Sequence, residues 1–504
     1  MKLRTEVLII GGGATGVGIS RDLSLRGIPS ILIEKGDFAA GASGRNHGLL
    51  HSGARYAVSD PEAARECMSE NRILKRIAPH CIEETEGLFL SLPEDGLDFR
   101  DRFVRACEEA SIPTTLCSRD EALTLEPELN PDLLSAVRVP DGAIDPFKLV
   151  LENARDAESR GAKFFLHTEV ISFILDRDKA RGITAKDLVS GEEYSIEASC
   201  IVNASGAWTN QVLNLAGLHV DMALSKGSLL ITNQRISQKV INRCRPPSDG
   251  DIIVPNDTVS ILGTTSIRSE RIEHFEVTPS EVSLLIAQTS EMVPALRQAR
   301  LIRAYAGIRP LIQSGRSGED RSISRGFTLI DHGKRDGIRN LYTMTGGKLM
   351  TYRLMAEKVT DLVCRMMGID VSCATHLKLL PGARDRSELR DRLKKNSDQG
   401  EILCDCEMIG REEVKAILDK GKLKDPVGIL HRTRLAKGTC QGGFCIYRFL
   451  GWLHDMGIAE ADSNKVLKKF LEERWKGIRP VLWGDTLRQE ELVEGIYKGV
   501  FNLE

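Results

Sequence analysis

An α/β fold built on a parallel sheet is predicted by three features of the first 35 residues. Val7-Leu8-Ile9-Ile10 is an unbroken apolar run, short enough for a buried strand, and Gly11-Gly12-Gly13-Ala14-Thr15-Gly16 follows it directly. A second apolar run, Ser30-Ile31-Leu32-Ile33, then ends in the acid Glu34, followed by Lys35. Strand, glycine turn, helix, strand and terminal acid in this order form a cradle for a dinucleotide. Gly11 permits the tight turn, Gly13 lets a pyrophosphate approach the backbone, and Gly16 lets the helix expected over Val17 to Arg26 pack closely on the strand. Ala14 and Thr15 stand at the helix N-terminus, where unpaired N–H groups and a partial positive charge favour an anion. Gly27 closes the helix, and Glu34 places a carboxylate for ribose hydroxyls while repelling a 2′-phosphate. To this point NAD and FAD fit equally.

Composition bounds the rest. A chain of 504 residues exceeds one ordinary core and predicts two or three domains. With 41% hydrophobic and 28% charged residues it reads as a soluble globular protein, and a formal net charge of −2 leaves no basic field for nucleic acid. The chain enters its first strand within six residues, and no apolar stretch approaches the roughly 20 residues needed to span a bilayer. The expectation is a cytoplasmic protein. Of the 12 cysteines, eight, including Cys67, Cys107 and Cys364, are scattered as reduced thiols would be.

After the second strand comes Ala42-Ser43-Gly44-Arg45-Asn46-His47-Gly48-Leu49-Leu50-His51-Ser52-Gly53-Ala54-Arg55-Tyr56, whose many small residues imply close packing against a large ligand. An NAD enzyme would return promptly to alternating strands and helices, so this loop favours a flavin. A helical pattern covers Pro61 to Ile77, and short mixed segments from Leu88 to Arg138 suggest an excursion into a second domain, ended by Gly142-Ala143-Ile144-Asp145-Pro146. Phe147 to Arg160 reads as an amphipathic helix, with strands at Ala162 to Leu166, Glu169 to Leu175 and Glu193 to Ile196. The apolar run Cys200-Ile201-Val202-Asn203 ends in Ala204-Ser205-Gly206-Ala207-Trp208, which again brings backbone amides near a ligand. Residues from about 220 to 330 read as a substrate layer, with strands at Leu229 to Thr232 and Ser260 to Thr265 and a helix near Pro279 to Met292. A strand at Leu341 to Met344 leads into Thr345-Gly346-Gly347-Lys348-Leu349-Met350-Thr351-Tyr352-Arg353, which opens a helix to about Met367. At this third glycine turn, Lys348 and a positive helix end would stabilise negative charge on a reduced isoalloxazine.

The motifs His51 to Tyr56, Tyr305-Ala306-Gly307-Ile308-Arg309-Pro310-Leu311, Ile323-Ser324-Arg325 and Gly346 to Arg353 resemble those of flavin-dependent glycerol-3-phosphate dehydrogenases, within the D-amino-acid oxidase fold group, over residues 1 to about 375. The whole chain, including Glu473-Arg474-Trp475-Lys476-Gly477, resembles the catalytic A subunits of the anaerobic branch. The resemblance implies a Rossmann-like FAD-binding region (segments about 1–75, 145–220 and 330–375) with an interleaved α+β substrate domain (about 76–144 and 221–329). It places the flavin against Gly11, Gly13, Ala14, Thr15, Gly16, Glu34, Lys35, Ala42, Ser43, Leu49, Val170, Gly206, Trp208, Gly346, Gly347, Lys348 and Leu349. Glycerol 3-phosphate is the implied substrate, bound by Arg55, Tyr56, Arg309, Arg325 and Lys348, with Arg55, Arg309, Lys348 and His51 in the chemistry. One departure matters. Where aerobic relatives carry a histidine after Lys-Gly-Ser, this chain has Leu229 after Lys226-Gly227-Ser228, so His51 becomes the candidate general base.

Beyond a charged linker at about 376–399, Cys404-Asp405-Cys406 and Cys440-Gln441-Gly442-Gly443-Phe444-Cys445 form two tight pairs around a helical Arg411 to Lys420. Four thiolates suit zinc or an iron-sulfur cluster, and unliganded thiols remain a third reading. The spacing resembles the [2Fe-2S] ferredoxin-like domain of the bacterioferritin-associated type, placed at about 400–455. A helical extension, 456–504, carries Phe470, Trp475, Trp483 and Tyr497 at intervals suited to packing. The implied reaction is oxidation to dihydroxyacetone phosphate, with electrons leaving through further electron-transfer and membrane-anchoring subunits to quinone, the chain itself lying peripherally on the inner membrane face. A flavin-dependent hydroxy-acid or amino-acid dehydrogenase or oxidase, and a non-enzymatic flavin and iron-sulfur electron carrier, are the alternatives.

Overall fold

The computed structural model describes residues 1–273, 275–312, 326–384, 400–418, 426–457 and 463–503. Its organising sheet is eight-stranded. The strand Lys2–Ile10 pairs in parallel with Ser30–Ile33 on one side and Glu193–Asn203 on the other. Lys163–Phe165 and Leu341–Gly346 extend the parallel set, and antiparallel strands flank it. Val7, Leu8 and Ile9 are wholly buried, as a strand covered on both faces requires.

The helix Ala14–Leu25 begins three residues before the expected Val17, with Gly13 as its extended N-cap. Gly16 and Gly18 therefore lie inside it. A Cβ at Gly16 would collide with the Gly11 carbonyl oxygen, and one at Gly18 would stand 2.8 Å from the Tyr352 ring. Helix bounds that depend on caps match expectation. Asp60 accepts from Ala63 N at 3.1 Å ahead of Pro61–Ile77, and Thr278 with Glu281 forms a capping box for Pro279–Met292. Asp145 caps Pro146–Ser159, one residue ahead of the expected Phe147 to Arg160 at each end.

A second, nine-stranded sheet joins strands from two separated stretches, Gly87–Ser91, Thr115–Ser118 and Ser135–Val139 from one and Met222–Thr232 through Leu301–Ile312 from the other. The long strand Leu301–Ile312, hereafter the arginine strand, pairs antiparallel with Met222–Thr232, setting Gly227 opposite Gly307 and Leu229 opposite Tyr305.

The C-terminal part is a short hairpin, Ile402–Cys404 with Ile409–Gly410, followed by helices. Leu403, Ile409 and Phe449 share one core with Leu467, Val493 and Tyr497, so the last helices belong to the cysteine-bearing body. Of the aromatic residues expected to pack there, Phe470 and Tyr497 do, whereas Trp475 and Trp483 are 43% and 45% exposed. The expected linker around Arg384 to Lys395 lies outside the described residues apart from its first position.

Candidate active site

The ends of the parallel strands, the loop of residues 36–51, the arginine strand and the C-terminal body enclose a cleft of about 1320 Å³. That exceeds the roughly 300–1,000 Å³ of a small-ligand pocket and suits an extended dinucleotide plus substrate. Every expected flavin-site residue borders it except Gly16, which sits behind, against Gly11.

At one end the chain folds into a cradle. Gly11 adopts φ +115°, donates to Ile33 O at 2.8 Å, and could not carry a Cβ, which would stand 2.6 Å from Ala204 O. The helix begins with Ala14 N donating to Ser43 Oγ at 3.0 Å. A Cβ at Gly13 would come within 3.1 Å of that hydroxyl oxygen, so the glycines keep the space in front of the helix N-terminus open. This donor-rich, side-chain-free turn fits the phosphates of FAD. Glu34 does more than the sequence suggests. Its two carboxylate oxygens accept from Gly12 N at 2.6 Å and Gly36 N at 2.7 Å, so it braces the turn as well as facing the cleft. Burial pushes its carboxyl above the ordinary range, against the pull of those two amides. Lys35 meets Glu169 at 3.4 Å and Glu273 at 3.2 Å, and Trp208 Nε1 donates to the same Glu273 at 3.1 Å, which ties a strap across the cleft mouth.

At the other end, Gly346 and Gly347 take φ of +83° and +75° and turn the chain so that Lys348 enters the cleft, its ammonium 4.5 Å from the centre of the Tyr56 ring. His51 packs between Tyr56 and His47, with ring centres 5.5 and 5.9 Å away. Arg309 reaches in from the arginine strand and donates to Thr265 O at 3.2 Å and Thr264 Oγ1 at 2.5 Å. Arg55 does not border the cleft. Its Nη2 is held by Asp251 at 3.2 Å and Ser248 O at 3.3 Å, and its Nη1 is buried without a partner among the described residues. Arg325 lies outside the described residues. Leu229, at the position of the missing histidine, is 1% exposed, and its side chain packs on Gly263, where a Cβ would stand 2.8 Å away.

Two cleft residues carry roles that the motifs did not disclose. Tyr305 donates its hydroxyl to Asn46 O at 2.8 Å and so pins the flavin loop to the arginine strand; burial pushes its own ionisation up. Arg303 borders the cleft two residues earlier. The signal was available, because positions 303, 305, 307 and 309 share one strand face.

Residues 6–362 match the family described as FAD dependent oxidoreductase. The chain is 44% identical to the A subunit of the anaerobic glycerol-3-phosphate dehydrogenase of Escherichia coli K12, across 99% of this chain and 97% of that one. It is 39% identical to the A1 subunit of the Haloferax volcanii enzyme of the same name, across 100% and 91%. The chain belongs to the family of anaerobic glycerol-3-phosphate dehydrogenase A subunits. Among solved structures, the FAD complex of the glycerol-3-phosphate dehydrogenase from Bacillus halodurans superposes with a TM-score of 0.68 at 23% identity, covering 95% of this chain and 96% of that one, a likeness of fold.

In this member of the A-subunit family the four clustered cysteines stand together. Cys404 touches Cys406 and Cys445, and Cys440 touches Cys406 and Cys445. Hydrogen bonding from its neighbours holds the exposed Cys406 thiol well below the ordinary range, while that contact pushes Cys404 up to about 11. Gly438 admits this packing, since a Cβ there would overlap Cys406. Among the described residues no group of three or more His, Cys, Asp or Glu is arranged to hold a metal ion, and the sulfurs are hydrogen-bonding partners of one another. No helix among the described residues is long and apolar enough to cross a membrane.

Proposed function

We propose that this chain oxidises sn-glycerol 3-phosphate to dihydroxyacetone phosphate. The observation that carries this reading is that Arg309 and Lys348, cations in family motifs, border the same cleft as the glycine cradle. Bound FAD supplies the hydride acceptor. Arg309 binds the substrate phosphate through its planar fork, and Arg325 supplies a second guanidinium from the Ile323-Ser324-Arg325 motif. Arg55 stands one layer behind, sharing its charge with Asp251. Lys348, steadied over Tyr56, stabilises the developing alkoxide, and His51 accepts the hydroxyl proton. The relatives' names support the substrate. Anaerobic mixing with glycerol 3-phosphate should bleach the flavin, whereas lactate, 2-hydroxyglutarate and amino acids should not; bleaching by one of those alone would transfer the reading to a hydroxy-acid or amino-acid enzyme.

Electrons would leave through a second set of groups. Cys404, Cys406, Cys440 and Cys445 have the ligand chemistry of a [2Fe-2S] centre, which would supply one-electron transfer to a partner. The relatives are named as subunits, which supports partner chains, and those chains would carry electrons to a membrane quinone, with this one bound peripherally at the cytoplasmic face. The domain boundaries proposed are those of the flavin region to about residue 375 and the cysteine body from about 400. Iron and acid-labile sulfide in anaerobically purified protein would support the centre; stoichiometric zinc without iron would reject it.

A further inference from the structure

Strongly buried arginines in this protein are paired. Arg21 meets Asp156 at 2.7 Å, Arg26 meets Asp22 at 2.8 Å, Arg353 meets Glu70 at 2.6 Å, and Arg243 is surrounded by Glu94, Asp95 and Glu291. Such pairing is what desolvated charge requires. Arg303, half-buried, has no such partner among the described residues. On the cleft face of the arginine strand, its Nη1 reaches only the amide oxygen of Gln441, at 3.4 Å, and no carboxylate lies within ion-pair distance among the described residues. Burial lowers its proton affinity. Of its charged neighbours, Arg474 and Arg45 add to that effect and Glu473 opposes it. Arg474 cannot relieve the excess, because its own charge is matched by Glu490 at 2.6 Å.

Arg45 is the second cation. It leaves the flavin loop just after Ser43, and its guanidinium lies 5.8 Å from the Phe275 ring centre without a carboxylate in ion-pair contact among the described residues. Its acidic neighbours are Glu473 and Glu273, and Glu273 is already engaged by Lys35 and Trp208. The loop carrying Arg45 is fastened to the strand carrying Arg303 at two points. Tyr305 donates to Asn46 O, and Gly307 leaves room for the Arg45 carbonyl, which a Cβ would approach to 2.5 Å. On the far side Gly477 leaves room for Arg303, since a Cβ there would stand 2.8 Å from Nε. Arg303, half-buried, and Arg45, exposed but carried on a pinned loop, thus border one cleft with no carboxylate in ion-pair contact among the described residues.

We propose that Arg45 and Arg303 form a phosphate-oxyanion subsite of the cleft, distinct from the one at Arg309. Arg309 is held at Thr264 and Thr265, whereas Arg303, whose Cα lies six strand residues or roughly 20 Å away, turns to Gln441, so the two guanidiniums as placed address different parts of the cleft. Guanidinium forks match phosphate oxygens, and the anion would supply the countercharge that the protein withholds. The oxyanion belongs either to the pyrophosphate of bound FAD or to a free phosphomonoester using the cleft, and the two sources are separable by experiment. The subsite does not depend on which alcohol is oxidised.

The test uses the full-length flavoprotein in an Arg309→Gln, Arg325→Gln background, which removes both guanidiniums of the phosphate site proposed above, with Arg45→Gln, Arg303→Gln and Arg303→Lys added singly. Retained FAD is measured after gel filtration at raised salt, and inorganic phosphate binding by equilibrium dialysis. A tenfold or greater loss of FAD affinity in both glutamine variants, partly restored by Arg303→Lys, supports the subsite with the cofactor as source. Retained FAD together with a tenfold loss of phosphate binding supports it with a free phosphoester as source. If both glutamine variants hold FAD and phosphate as their parent does, the subsite does not exist. Should Arg303→Gln fail to fold, Gly477→Ala displaces the same guanidinium without removing its charge, and Arg45→Gln acts on the loop alone; unchanged FAD and phosphate binding in those two likewise overturns the proposal.

Discussion

The guanidinium of Arg309 fills the space where a side chain at Gly227 would stand, two residues from its own register partner Ser225 on the neighbouring strand. The Lys226-Gly227-Ser228 stretch therefore shapes the setting of Arg309, the phosphate cation proposed above. Gly227 makes the room, while Lys226 and Ser228 engage Glu281 at 2.8 and 2.7 Å and hold the strand to the capped helix Pro279–Met292.

From this relationship, Gly227→Ala should behave as a mild form of Arg309→Ala. Losing charge-assisted hydrogen bonds costs about 1.5–3 kcal/mol. Steady-state kinetics should therefore give a KM for glycerol 3-phosphate raised about tenfold to a hundredfold in Arg309→Ala, with a smaller rise in Gly227→Ala. FAD content should not change in either. Normal kinetics in Arg309→Ala would remove that residue from the phosphate site.

The proton acceptor proposed above is His51. A histidine base gives a rate that falls on the acid side as the ring protonates and can no longer accept a proton. His51→Asn should lower kcat and abolish that acid limb in the pH profile of kcat/KM. An unaltered profile would exclude His51 from proton transfer.

The C-terminal body is clasped to the flavin domain by Arg432, which donates to both carboxylate oxygens of Asp37 at 2.7 and 2.9 Å. Burial alone would raise the Asp37 carboxyl, but His431 and Arg432 outweigh it and hold it well below the ordinary range. A depressed carboxyl contributes stability that is complete above its unfolded pKa of about 4 and is lost as pH falls through the folded value. Docking should thus weaken only below about pH 4. Arg432→Gln removes the charged partner of a buried carboxylate and leaves it to His431, at a cost of up to about 3–5 kcal/mol. Limited proteolysis at neutral pH should cut that variant between the two bodies much faster than the parent; equal rates would mean the clasp is dispensable.

Among the clustered cysteines, Cys406 combines exposure with a depressed thiol. In metal-free protein it should be alkylated by iodoacetamide before Cys404, Cys440 and Cys445, as read by peptide mass spectrometry. Iron-loaded protein should be protected at all four. Equal labelling of loaded and metal-free protein would argue against any centre held by these thiols.

Much of this protein is local, and local features are legible. The parallel βαβ unit follows from an apolar run, a glycine turn and a terminal acid; the bounds of Pro61–Ile77 and Pro279–Met292 follow from Asp60, Thr278 and the prolines behind them, because caps act within four residues of chain. The motifs likewise sufficed to bring Gly13, Ser43, Lys348 and Arg309 to one cleft. Tertiary structure alone decided how each charge is spent. Arg55 is drawn to Asp251, 196 residues away, while Glu34 turns back onto Gly12 and Gly36. Leu229 is withdrawn against Gly263, and Arg303, an ordinary strand arginine in sequence, stands beside Gln441 with no carboxylate in ion-pair contact among the described residues. The physical reason is range. Backbone preference and hydrophobic period are set by near neighbours, whereas the state of an ionised side chain depends on which distant groups the fold places within a few ångströms of it.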